Sequence, residues 1–164
     1  MEPVRLALIV THATAATMAF ALGFALVVRL PQARRSVGFQ VYAVCVWVAV
    51  ASLITLVVVD WARLDPARRI AFPVLAALGI YLVWRTERAR ARLHSGPAEQ
   101  RRRFIGDIGF VLISLFDGFC IVLAIDLGLP FWAVASIAVA GVAVGILALR
   151  ARVRRDARAE REAA

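Results

Sequence analysis

Apolar residues fall into five long runs along this chain, and charged or turn-forming residues close each run. The runs lie at about 6–28, 37–59, 66–84, 104–125 and 131–149. About 20 apolar residues are enough to cross the core of a bilayer as an α-helix. The runs lack the alternation of apolar and polar positions that is typical of membrane β-strands. The pattern therefore predicts an all-α integral membrane protein with five transmembrane helices, which together form a membrane domain over 1–149.

The third run is the shortest in its uninterrupted apolar part. Ile70 to Trp84 would give only about 22 Å of helix, against about 30 Å for a bilayer core. We therefore expect the helix to begin near Pro66, with Arg68 and Arg69 reaching out to the interface. Pro73 would then lie inside this helix and bend it.

The fourth and fifth runs are joined by the five residues from Asp126 to Pro130. Gly128 and Pro130 are turn-forming residues. The short link predicts that spans four and five form a tight antiparallel hairpin.

The arginines orient the chain in the membrane. All 20 basic residues are arginine, and sixteen of them fall after span one, in the link over 85–103 or in the tail over 150–164. Because short positive loops stay in the cytoplasm, we expect a cytoplasmic carboxyl terminus, with the amino terminus outside. Since the use of arginine alone is typical of a GC-rich genome, we expect a multi-pass protein of a bacterial inner membrane.

The formal net charge of +9 raises the question of a nucleic-acid partner. The arginines lie at membrane boundaries, without interleaved aromatic residues and without a P-loop. We therefore expect no nucleic acid, and we expect contacts with anionic lipid headgroups. The candidate headgroup contacts are Arg34, Arg35, Arg101, Arg102, Arg103, Arg154 and Arg155.

Composition also limits the chemistry that the chain can carry. Apolar residues make up 62% of the sequence, well above the roughly 45–50% of soluble domains. Cys45 and Cys120 are expected at depths that differ by about 9 Å, which disfavours a disulfide or a two-thiol redox site. His12 is the one histidine within a span. We therefore expect no metal and no cofactor.

The candidates for a functional ionisable group within the predicted spans are His12, Asp107 and Asp117, because a charge there costs at least about 2.5–3.5 kcal/mol. Asp107 is close to the cytoplasmic end of span four, where its own basic flank and the helix amino terminus could stabilise it. His12 and Asp117 are predicted at similar depth in the outer half of the membrane. If spans one and four are neighbours, these two residues can pair, either to tie helices together or to relay protons or bind a cation.

Small residues follow one face of each of two spans. Ala15, Ala19 and Gly23 recur on span one, and Gly141 and Gly145 form a GxxxG pattern on span five. Such faces allow two helix backbones to approach closely. The approach can take place inside one protomer, in a homo-oligomer or in a larger membrane complex.

These features favour a non-enzymatic inner-membrane protein, either a self-associating or an accessory membrane component. The alternative is a small proton-coupled transporter or channel that uses His12 and Asp117. A membrane-embedded enzyme is a third hypothesis, and the sequence shows no convincing set of catalytic residues for it.

Overall fold

The computed structural model describes residues 3–28, 37–92 and 98–162, and within these ranges every regular element is helical. The five long helices are α1 (Pro3–Val28), α2 (Val37–Asp60), α3 (Pro66–Arg92), α4 (Ala98–Asp126) and α5 (Phe131–Glu162). Four of them, α1 to α4, are long and apolar enough to cross a membrane. The apolar part of α5, Trp132–Leu147, is shorter. The chain thus has the architecture of a multi-pass membrane protein.

Local sequence explains where α3 begins. Asp65 precedes the helix, and its Oδ1 accepts a hydrogen bond from the backbone N–H of Arg68 at 2.9 Å, as an N-cap residue does. Pro66 takes the first helical position, where its missing N–H costs nothing. The helix continues through Pro73 as far as Arg92.

Consecutive helices pack side by side, and α1 also packs against α4. Helices α1 to α4 therefore form a bundle in which the first and fourth helices meet. The tight turn after α4 contains Gly128, which has a φ of 70°. It returns the chain as α5, which packs along α4.

The most deeply buried side chains cluster in one half of the bundle. This half contains the carboxyl end of α1 and the amino end of α2, together with the carboxyl half of α3 and the first turns of α4. Its largest fully buried side chains are Tyr42, Val46, Thr86, Ile105, Ile108 and Val111. In the other half, the described α1 side chains before Ala15 are exposed or partly exposed.

Exposed aromatic side chains occur near both ends of the bundle. Trp61 and Trp132 lie near one end, whereas Trp47 and Trp84 lie toward the other, and all four are about half exposed or more. Tryptophan is enriched where a membrane meets water. The distribution fits a bundle that spans a bilayer.

Part of the predicted headgroup surface lies outside the residues that can be described. Arg34 and Arg35 fall in the link between α1 and α2, which is not covered. The side chains of Arg101, Arg102, Arg154 and Arg155 are likewise outside the described set. Arg103 is described and exposed. Helix α5 continues into the basic tail as far as Glu162.

Candidate intramembrane polar sites

His12 connects α1 to α2. Its Nδ1 lies 2.8 Å from the carbonyl oxygen of Ala49 and 3.5 Å from Oγ of Ser52. A carbonyl oxygen can only accept a hydrogen bond, so Nδ1 carries a proton and donates it to Ala49. Ser52 is buried and donates to the carbonyl oxygens of Val48 and Ala49. This polar cluster therefore belongs to the α1–α2 interface.

Asp117 faces a different helix. Its side chain is buried at the α4–α5 interface, where Oδ1 lies in the space that the missing Cβ of Gly141 leaves open. Within the described part of the chain, Oδ1 has no hydrogen-bond partner. Asp117 is thus a buried carboxyl group in an apolar seam between two helices.

The structure brings spans one and four together, but it does not bring His12 to Asp117. The rings of Phe20 and Phe116 are 6.5 Å apart, and Gly23 faces Leu112. This antiparallel register places Asp117 level with the residues just before Phe20. His12 lies about six residues before that level, toward the amino end of α1, which is about 10 Å along the helix axis. The two side chains have different partners.

Asp107 is paired with a residue of another helix. Its Oδ1 lies 3.0 Å from Nε of Arg85 on α3, and Arg85 Nη2 donates to the carbonyl oxygen of Gly106 at 3.2 Å. The guanidinium also lies over the rings of Phe110 and Tyr81, at 4.9 and 5.9 Å from their centroids. The Asp107 side chain is only 4% exposed. The sequence predicted a stabilised interfacial aspartate here but did not identify Arg85.

A buried hydroxyl pair that the sequence did not predict lies between α2 and α3. Tyr42 and Thr86 are both fully buried, and their hydroxyl groups are neighbours. Within the described residues, neither hydroxyl oxygen makes a hydrogen bond of normal geometry. The ring of Tyr42 packs against Gly23 of α1.

The small residues singled out from the sequence lie against other helices of the same chain. On α1, Ala15, Ala19 and Gly23 are buried. On α5, Gly141 faces Asp117 and Gly145 faces Ile113, both on α4. A Cβ on Gly145 would come within 2.7 Å of Ile113 Cδ1. These glycines allow α5 to approach α4 closely.

Two ion pairs join helices at the end of the bundle where α1 begins. Arg5 Nε lies 2.6 Å from Asp60 Oδ2, which links α1 to α2. Arg68 Nη2 lies 2.9 Å from Asp126 Oδ1, which links α3 to α4. Each pair connects the ends of antiparallel helices. Charges close to the boundaries of the predicted spans therefore hold neighbouring helices together.

The described residues contain no group of three or more His, Cys, Asp or Glu side chains that could hold a metal ion. No protein-family model matches the chain, and neither a curated protein nor a solved structure matches it significantly.

Proposed function

We propose that the chain is a non-enzymatic, five-span protein of a bacterial inner membrane that serves as an accessory component of a membrane assembly. The observation that carries this proposal is that polar side chains within the predicted spans connect neighbouring helices. His12 bonds to Ala49 across α1 and α2, and Asp107 pairs with Arg85 across α3 and α4. These groups hold helices together, as expected for a protein whose work is done by a stable membrane-embedded shape.

The register of α5 supports a fifth span. Gly141 lies opposite Asp117 and Gly145 opposite Ile113, so α5 runs antiparallel to α4. Continued at the same rise, α5 comes level with Asp107 at about residue 151. The first charged residue of α5 in the sequence is Arg150. The apolar part of α5 therefore ends at the level where charges begin on α3 and α4.

The charges at the two ends of the bundle support an amino terminus outside. At the end where α1 begins, arginines are paired with carboxylates, as in Arg5–Asp60 and Arg68–Asp126. At the other end lie the basic link over 85–103 and the basic tail over 150–164. This excess of arginine favours a cytoplasmic location for that end of the bundle, where the arginines would contact anionic lipid headgroups.

The position of the small residues favours an accessory role over self-association through those faces. Gly141 and Gly145 are in contact with α4 of their own chain. A second copy could not use the same glycines without separating α5 from α4. An assembly partner would instead meet the apolar outer surface of the bundle.

Two experiments test this proposal. Reporter enzymes fused after Asp65 and at the carboxyl terminus should report opposite sides of the membrane, and two cytoplasmic signals would contradict five spans. Extraction of the chain into lipid nanodiscs, followed by native mass spectrometry, should give a discrete complex that contains a different polypeptide beside the 17.9 kDa chain. A lone chain, or copies of this chain alone, would contradict the accessory role.

One observation favours a second candidate function, a small proton-coupled transporter or channel. Asp117 is a buried carboxyl group inside a span, and its Oδ1 has no partner in the described part of the chain. Intramembrane carboxyl groups of this kind mark ion pathways in many transporters. Since His12 is bonded elsewhere, this candidate now depends on Asp117. Proton flux in liposomes that is lost in Asp117→Asn would support it.

A further inference from the structure

The seam between α4 and α5, where these two helices are in contact, contains a buried carboxyl group. Asp117 is 5% exposed, and its Oδ1 lies in the notch at Gly141. One turn away, Ile113 packs against Gly145 in the same way. Two glycines four residues apart on α5 thus receive two side chains four residues apart on α4. One of these side chains is an ordinary hydrophobic contact, and the other is an acid.

Among the residues that the structure describes, no cationic side chain pairs with Asp117 to balance a charge on it. The α3 sequence has no charged residue between Arg69 and Arg85, and α5 has none before Arg150. On α1, the nearest titratable group in register is His12, about 10 Å away along the axis. On α4 itself, Cys120 follows one turn later as a free thiol. Leu75 of α3 and Phe20 of α1 approach the neighbouring positions Gly118 and Phe116.

Asp107 provides an internal comparison on the same helix. It is buried to a similar extent, but Arg85 lies 3.0 Å away and neutralises its charge. The two carboxyl groups differ in their partners: Asp107 faces a guanidinium group, whereas Asp117 faces a glycine. An unpaired carboxylate in hydrocarbon is costly, whereas a neutral carboxylic acid is tolerated far better.

We propose that the Asp117 carboxyl group is a proton-binding site, and that the notch at Gly141 houses it as a neutral carboxylic acid. The ligand of this site is a proton, and no second ionisable side chain takes part. The proposal deepens the second candidate function above by naming the site and its ligand. Binding of a proton at this site does not by itself require that the chain transport protons.

A hydrophobic carbodiimide tests the protonation state directly. The acid O–H adds across one C=N bond of the carbodiimide: its proton goes to nitrogen and its oxygen bonds to carbon. The product rearranges to a stable N-acylurea, so the chain gains one whole reagent molecule and nothing leaves. An ionised carboxylate with a guanidinium partner is a poor substrate. The reaction should therefore distinguish Asp117 from Asp107.

The experiment uses the full chain in its membrane, treated with dicyclohexylcarbodiimide near neutral pH and analysed by mass spectrometry. We expect one adduct per chain, mapped to Asp117, with none at Asp107. The Asp117→Asn variant should gain no adduct, whereas Asp126→Asn, which changes an exposed carboxylate, should react like the wild type. An adduct that persists in Asp117→Asn would overturn the proposal.

Infrared spectroscopy gives a readout that does not depend on reagent access. The difference spectrum between the wild type and Asp117→Asn should contain the C=O stretch of a protonated carboxylic acid. If that band is missing and only carboxylate bands differ, the proposal is wrong. Liposomes that show no proton flux would contradict the transporter function while leaving this proton site in place, so the two failures are distinguishable.

Discussion

Arg85 and Asp107 join α3 and α4 through an ion pair with an Nε–Oδ1 distance of 3.0 Å. The aspartate side chain is nearly inaccessible, whereas the arginine side chain is 22% exposed. The pair lies where α3 leaves the apolar part of the bundle. The guanidinium group of Arg85 lies over the ring of Phe110. Such a pair fixes the register of two helices.

The first prediction follows from the burial of this pair. Asp107→Ala leaves the Arg85 guanidinium without its carboxylate, and we expect the free energy of unfolding to fall by about 2–4 kcal/mol. Arg90→Ala is the matched control, because Arg90 forms an exposed pair with Glu87 on its own helix. Its cost should stay below about 0.5 kcal/mol. Unfolding in mixed micelles, followed by circular dichroism, measures both, and equal losses would contradict the assignment.

The second prediction concerns the close approach of α5 to α4. Gly145→Leu would force a side chain into Ile113, so we expect a loss of about 1–3 kcal/mol in the stability of a single chain. Ile113→Ala in the same chain should recover part of that loss. Ala143→Leu is the control, since Ala143 is exposed on the same helix. If Gly145→Leu changed only the oligomeric state, the intramolecular packing would be wrong.

The third prediction concerns the two buried hydroxyl groups of Tyr42 and Thr86. Replacing both partners of a buried polar contact with apolar groups of similar shape can be neutral or stabilising. We therefore expect the Tyr42→Phe, Thr86→Val double variant to unfold within about 0.5 kcal/mol of the wild type, or to be more stable. Thermal unfolding in detergent measures this. A loss above about 1.5 kcal/mol would mean that these hydroxyls are satisfied in the folded chain.

Hydropathy predicts an all-α membrane protein, and every regular element in the described residues is helical. The predicted third span began near Pro66, and α3 does begin at Pro66. The predicted hairpin turn contains Gly128, whose positive φ closes it. These features are local, because the length of an apolar run and the backbone freedom of one glycine do not depend on other helices. Four helices long enough to cross a membrane are confirmed.

The partners of the polar residues were much harder to predict. The spacing along the spans predicts similar depths for His12 and Asp117, but depth does not specify which way a side chain faces around its helix. Asp117 faces α5, and His12 faces α2. The register of antiparallel neighbours also determines contacts such as Arg85–Asp107. The available signal was the pairing of opposite charges near the same end of consecutive spans.

The last prediction tests whether His12 and Asp117 form one paired site or serve two separate helix interfaces. If each residue serves a different helix interface, their effects on stability should be independent. His12→Leu removes one interhelical hydrogen bond, which costs on average about 0.6 kcal/mol in membranes and at most about 1.7 kcal/mol. Asp117→Asn keeps the shape of the side chain in the Gly141 notch.

The double variant His12→Leu, Asp117→Asn should therefore equal the sum of the single changes to within about 0.5 kcal/mol, as expected for sites without shared partners. A parallel cycle of His12→Leu with Ser52→Ala is the positive control, because Ser52 Oγ lies 3.5 Å from the His12 ring nitrogen and both contact Ala49. That cycle should give a larger coupling energy. Micelle unfolding titrations on all five variants and the wild type measure both cycles. A coupling of 1 kcal/mol or more between His12 and Asp117, on the order of that between contacting residues, would restore the paired site that the sequence suggested.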